Sequence, residues 1–150
     1  MRYLWLTAIA TGMLLAGTAW AQESEFQKKL QDDMDYYKAQ IADNCGAKVT
    51  FKWLGKLGHD PRETEKPKYN GVSNLVTSGI EALVNACTNN TVVKKKMSGL
   101  KKIEATKGKG TIGYKLRGTN FLLTVDPSFT TSAGEQRNAL IEKLKKDIDK

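Results

Sequence analysis

Apolar side chains recur every three or four residues in two stretches of the chain, which is the spacing of one helix face. The first stripe contains Phe26, Leu30, Met34, Tyr37 and Ile41. It predicts a helix over about Glu25 to Asp43, and Gly46 suits its stop. The second stripe predicts a helix over about Gly71 to Cys87, and Thr91 to Met97 is compatible with one more helical turn.

Four shorter stretches alternate apolar and polar residues, as a half-buried strand does. They run over Lys48 to Trp53, Lys101 to Thr106, Thr111 to Arg117 and Asn120 to Val125. Glycine-containing turns at Gly108-Lys109-Gly110 and at Gly118 separate the last three stretches. Tight turns between consecutive strands predict a meander, and therefore a mainly antiparallel sheet.

A last apolar stripe follows a helix-start signal. Ser132 and Glu135 have the spacing of a capping box, and Leu140, Ile141 and Leu144 lie on one side of the helix that it opens. The resulting order is α-β-α-β-β-β-α, without a separate helix at Thr91. We expect an α+β domain in which the helices pack on one face of a four-stranded sheet. The other sheet face is left for solvent or a partner.

The first residues have the pattern of an export signal. A positive start at Arg2 precedes an apolar run, and Ala19-Trp20-Ala21 has the small-x-small form that signal peptidase cuts. We expect residues 1–21 to be removed and residues 22–150 to form one domain in the periplasm or outside the cell. An uncleaved N-terminal anchor is the alternative. No second long apolar run follows, so we expect no membrane span in the mature chain.

The two cysteines agree with export. Cys45 and Cys87 continue the apolar stripes of the two predicted helices, so each is expected at a helix end on the buried face. In an oxidising compartment two such cysteines are expected to form a disulfide. The absence of a Cys-x-x-Cys motif argues against a redox pair.

Basic residues are unevenly distributed. The whole chain of 150 residues carries a net charge of +8, and the segment from residue 94 to residue 117 has only Glu104 as an acidic residue. Its basic residues are Lys94, Lys95, Lys96, Lys101, Lys102, Lys107, Lys109, Lys115 and Arg117. Strand alternation would place Lys48, Lys52, Lys102, Lys115 and Arg117 on the outward face of the sheet. A surface of one sign attracts ions and partners of the other.

This charge favours an exported, non-catalytic binding or accessory domain for an anionic partner. The candidate partners are an anionic polysaccharide, lipid headgroups and an acidic protein. Lysine greatly outnumbers arginine in the chain, which favours loose attraction over a shaped phosphate site. The strand aromatics are predicted to point inward, and this, together with export, argues against nucleic acid. A lysine-rich face that only keeps the protein soluble is the alternative.

Catalytic candidates are few. His59 is the single histidine and lies beside Asp60 in the polar loop Gly55 to Asn70, near Arg62 and Glu63. A His-Asp pair can perform base catalysis, so a small extracytoplasmic enzyme is one alternative function, and a structural subunit of an envelope complex is another. One histidine with two paired cysteines makes no usual zinc set, and no nucleophile elbow or Walker spacing occurs. We therefore expect no catalytic residue, no metal and no cofactor.

Overall fold

The computed structural model describes residue 28, residues 30–54 and residues 71–148. The predicted signal peptide at residues 1–21 lies outside the described residues. The loop Gly55 to Asn70, with His59 and Asp60, also lies outside them. The described part contains four helices and a four-stranded sheet, which confirms the predicted α+β class.

The element order differs from the predicted one by a separate short helix. The elements are helix α1 (30–45), strand β1 (Thr50–Trp53), helix α2 (Val72–Asn89), helix α3 (Thr91–Met97), strands β2 (Lys102–Lys107), β3 (Gly113–Arg117) and β4 (Asn120–Val125), and helix α4 (Ala133–Ile148). Asn90 separates α2 from α3 because its backbone is extended. Its side chain accepts hydrogen bonds from the amides of Val92 and Val93 and so caps α3.

Two helix boundaries are where the local sequence predicts them. Gly46 has a φ of 72°, a conformation that glycine adopts at little cost, and its amide donates to the carbonyl of Ala42 at the end of α1. At the start of α4, the Glu135 amide donates to Ser132 Oγ, and the Ser132 amide donates back to Glu135 Oε2. This reciprocal pair is the predicted capping box.

The mainly antiparallel sheet predicted from the sequence is wrong. The strand order is β1-β2-β4-β3, with β1 parallel to β2 and β2 parallel to β4. Of the strands in the described residues, only β3 and β4 pair antiparallel, through the turn at Gly118. The segment Gly108-Lys109-Gly110 therefore does not close a hairpin. It carries the chain from β2 past the position of β4 to the far edge of the sheet.

The apolar content of the strands explains this arrangement. In β4 the residues Phe121, Leu122 and Leu123 form a continuous apolar run, which suits a strand with neighbours on both sides. In β3, exposed Lys115 and Arg117 alternate with apolar residues, which suits an edge. Inserting β4 between β2 and β3 buries Phe121 and Leu123 completely.

The two faces of the sheet have opposite character. One row across the strands consists of Phe51, Ile103, Phe121 and Leu116, which all belong to or pack against the core. Helix α2 packs closely on this inner face at Gly79. A Cβ atom at that position would lie 2.7 Å from the methyl groups of Leu123, so a larger residue would not fit without a shift. The alternate residues point outward and are mostly polar or charged.

A disulfide joins Cys45 to Cys87, as the sequence predicts. Cys45 is the last residue of α1, and Cys87 lies in the final turn of α2. Both cysteines are buried, so the bond fastens the ends of the two helices inside the core.

Candidate anion-binding face

The sheet register places four basic side chains on one outward surface, which we call the cationic face. Its members are Lys52, Lys102, Lys115 and Arg117. Lys102 and Arg117 share one row across the sheet, and Lys52 and Lys115 share the next row. With strands about 4.8 Å apart, the four Cα atoms lie within roughly 16 Å of one another. The face therefore presents a closely spaced group of positive charges.

One carboxylate lies in the middle of this face. Glu104 forms a salt bridge with Lys102 at 2.5 Å and accepts a hydrogen bond from the side-chain amide of Asn120 at 2.7 Å. Both bonds hold the pKa of Glu104 below its usual value, and the bond from Lys102 has the larger effect. Within the described part of the chain, Lys115 and Arg117 form no salt bridge with a carboxylate. Lys52 on β1 forms none there either, so basic side chains without a salt bridge lie at both edges of the sheet.

The remaining predicted basic residues lie elsewhere in the fold. Lys94, Lys95 and Lys96 are exposed on α3, and Lys101 is exposed just before β2. The Lys101 amide donates to the carbonyl of Thr119, which places Lys101 beside the β3–β4 turn.

Two of the predicted residues are at the other end of the sheet. Lys107 pairs in register with Val125, which places it on the inner side of the strand, and Lys109 lies beyond it in the connection to β3. The structure therefore separates Lys107 and Lys109 from the cationic face. Lys48, predicted to share that face, precedes β1 and is exposed.

A groove of about 430 Å³ runs along the outer edge of β3, and we call it the edge groove. It is lined by Lys96, Tyr114, Lys115, Leu116, Asp147 and Ile148. The Tyr114 hydroxyl donates to Asp147 Oδ2 at 3.2 Å, and Lys143 donates to the same oxygen at 2.7 Å. Burial, together with the Asp147 carboxylate, raises the pKa of Tyr114 to about 12. Tyr114 is therefore neutral at physiological pH and cannot act as a base there.

A polar cluster that the sequence did not reveal links three helices. The Tyr37 hydroxyl of α1 donates to Glu81 of α2 at 2.6 Å, and Arg137 of α4 donates to the other Glu81 oxygen at 2.8 Å. Burial and the Glu81 carboxylate raise the pKa of Tyr37 well above its usual value. Partial burial opposes ionisation of Glu81, but the bonds from Tyr37 and Arg137 outweigh it and lower its pKa. Near neutral pH, Tyr37 is therefore protonated and Glu81 is ionised. This constant state suits a structural role in which the cluster joins the three helices.

We expect Glu81→Gln to lower the free energy of unfolding by about 1 kcal/mol at neutral pH, because it weakens two hydrogen bonds to a charged group. The folded pKa of Glu81 lies below the usual glutamate value of 4.5, so its contribution to stability is present above that pH and disappears as the pH falls through the folded pKa. Urea unfolding from about pH 7 to about pH 2.5 should show the two proteins converging in acid.

Glu142→Gln is the matched control, because Glu142 pairs with Lys145 on the surface and its side chain is 75% exposed. Its effect should be small at every pH. A difference between wild type and Glu81→Gln that is constant over this pH range would contradict the assigned role.

The described residues contain neither a metal-ligand cluster nor a membrane-spanning helix. No group of three or more His, Cys, Asp or Glu side chains in that part of the chain could hold a metal ion. Among the same residues, no helix has both the length and the apolar composition needed to cross a membrane. The candidate His59-Asp60 pair, with Arg62 and Glu63, lies outside the described residues.

The comparisons with known proteins add no relatives. No protein-family model matches the chain, and no curated protein or solved structure is detectably similar to it. The function must therefore be argued from the chemistry of the cationic face and the edge groove.

Proposed function

We propose that the chain is an exported, non-catalytic binding domain that holds an anionic partner against its cationic face. The observation that carries this proposal is the sheet register, which gathers Lys52, Lys102, Lys115 and Arg117 from three strands onto one surface around a single carboxylate. Such a surface raises the local concentration of anions and orients their approach. The export part of the proposal rests on residues 1–21 and is supported by the disulfide, a bond typical of oxidising compartments.

The chemistry of the residues favours multivalent attraction. Exposed lysines are hydrated point charges on flexible stems, so they suit a repeated anionic group better than one shaped phosphate. The shared property of the candidate partners is a row of carboxylates or phosphates, as in an acidic protein, an anionic polysaccharide or a lipid surface. Binding that depends on exposed charges must weaken when salt screens them.

Retention on an anionic matrix should be strong at about 10 mM salt, where the Debye length is about 30 Å, and lost at about 1 M salt, where it is about 3 Å. We expect Lys115→Glu/Arg117→Glu to weaken low-salt binding by at least about tenfold, because neither charge forms a salt bridge within the described residues. Phosphatidylglycerol vesicles, polygalacturonate and immobilised polyglutamate are suitable probes, measured by sedimentation or column retention.

Two control variants make this result specific. Lys28→Glu/Lys38→Glu changes the net charge by the same amount on the helical side, at Lys38 within α1 and at Lys28 just before its first described turn, and should change binding little. Glu104→Gln removes the central carboxylate of the cationic face and should strengthen binding. If no probe is retained by the wild-type chain at low salt, or if both double variants weaken binding equally, the proposal is wrong.

A further inference from the structure

The open edge of β3 has backbone groups available for another strand. The β3–β4 hairpin has two turn residues, and Gly118 at the first has a φ of 57°, which matches a type II′ turn. In such a hairpin Arg117 and Asn120 form the first hydrogen-bonded pair, and the bonded positions then alternate. The N–H and C=O groups of Tyr114 and Leu116 therefore point away from β4. In the described part of the chain, no backbone group outside the sheet pairs with them.

The edge groove runs beside these backbone groups. Its lining includes Tyr114, Lys115 and Leu116 from β3 itself, Lys96 from α3, and Asp147 with Ile148 from the end of α4. A groove with an open strand edge as one wall is the geometry in which an extended peptide adds to a sheet. Leu116 and Ile148 offer apolar contact on the inner side, and Lys115 projects on the outer side.

The charges around the edge groove favour an added strand that carries acidic side chains. Lys96, Lys115 and Arg117 form no salt bridge among the described residues, whereas Asp147 already accepts bonds from Lys143 and Tyr114. Lys115 and Arg117 are two residues apart on one strand, a spacing of about 6.8 Å. An added strand repeats its side chains at the same spacing, so alternate acidic residues would face alternate basic ones.

A second copy of the chain fits this edge poorly. If two β3 strands paired, Lys115 and Arg117 of one copy would face the same residues of the other. Like charges opposite each other destabilise a strand pair. The groove and its charges favour a different molecule with carboxylates along an extended segment.

We infer that the β3 edge binds an acidic, extended segment of a partner protein as a fifth strand, bonded to the backbone of Tyr114 and Leu116. This inference rests on the proposed function and narrows the anionic partner to a polypeptide. The backbone bonds provide the attachment, and Lys96, Lys115 and Arg117 provide the preference for carboxylate side chains.

The probe is a fluorescent synthetic peptide of about ten residues that alternates glutamate and valine, measured by anisotropy at low salt. Leu116→Pro deletes an N–H that β4 does not use, and we expect it to weaken binding by about tenfold. Leu116→Ala loses the side chain but keeps the N–H, and it should weaken binding by less than about threefold. N-methylation of alternate peptide residues tests the same bonds on the wild-type protein, whatever the stability of the variants.

Amide hydrogen exchange gives an independent measurement. The peptide should slow exchange at Tyr114 and Leu116 and leave Lys115 and Arg117, already bonded to β4, nearly unchanged. Peptide binding that survives both Leu116→Pro and N-methylation, or that leaves exchange at Tyr114 and Leu116 unaltered, overturns strand addition while leaving anion recognition intact. Retention on vesicles or polysaccharide without peptide binding overturns it in the same way. The absence of every form of retention contradicts the proposed function itself.

Discussion

Replacing both Cys45 and Cys87 with alanine should lower the free energy of unfolding by about 4 kcal/mol. The disulfide joins residues 42 positions apart. Closing a loop of that length lowers the conformational entropy of the unfolded chain, which stabilises the folded state by about 4 kcal/mol. Alanine keeps both positions apolar, which matters because both cysteines are buried. The measurement is guanidinium unfolding of the oxidised wild type and of the variant.

The single variants separate the cross-link from the packing of the side chains. Cys45→Ala and Cys87→Ala each break the same bond, so each should lose nearly as much stability as the double variant. Wild type unfolded with reductant should resemble them. Single losses that add up to the double loss, or a total loss below about 1 kcal/mol, would show that the bond does not constrain the unfolded chain in this way.

Gln136→Leu should lower the free energy of unfolding by about 2 to 4 kcal/mol, because it removes two hydrogen bonds from the interior. Gln136 is 1% exposed on α4. Its Oε1 accepts from the Ile112 amide at 2.9 Å, and its Nε2 donates to the Thr131 carbonyl at 2.7 Å. The side chain thus fastens the connection that leads into β3. Amide exchange at Ile112 should accelerate in the variant.

Gln136→Glu distinguishes the two bonds. A carboxylate can still accept from Ile112, but it cannot donate to the Thr131 carbonyl. Burial against that carbonyl would raise the pKa of the new carboxyl group, so the variant should be most stable in acid and should lose stability as the pH rises through the folded pKa. Equal stability of Gln136→Leu and wild type, or a Gln136→Glu variant that does not respond to pH, would contradict the role of Gln136.

Features that depend on nearby residues could be predicted from the sequence. The stripe from Leu30 to Cys45 gives α1, the Ser132-Glu135 capping box begins α4, and Asn120 to Val125 is the observed span of β4. The disulfide was also predictable, because both cysteines continue buried stripes and only one pairing is available. In each case the energy comes from side-chain spacing or from bonds within a few residues.

Strand pairing could not be predicted in this way. The sequence places β2, β3 and β4 one after another with glycine turns between them, and such a pattern usually gives a meander. With β4 between β2 and β3, a strand flanks Phe121 and Leu123 on each side, and both residues are fully buried. That burial depends on the order of all the strands in the sheet. The Gln136–Ile112 bond and the Tyr37-Glu81-Arg137 cluster were missed because the residues that they join are 24 to 56 positions apart.

By itself, the sequence determined three of the four described helices, the alternation of the strands, the disulfide and an excess of positive charge between residues 94 and 117. Strand alternation also predicted that Lys52, Lys102, Lys115 and Arg117 share an outward face, and only the tertiary structure decided how close together they lie. It placed Lys102, Lys115 and Arg117 with Lys52 on the outer sheet face, and Lys107 and Lys109 at the opposite end. The reason is that residue spacing along a chain sets local conformation, whereas contact between distant strands depends on which arrangement buries the most apolar surface.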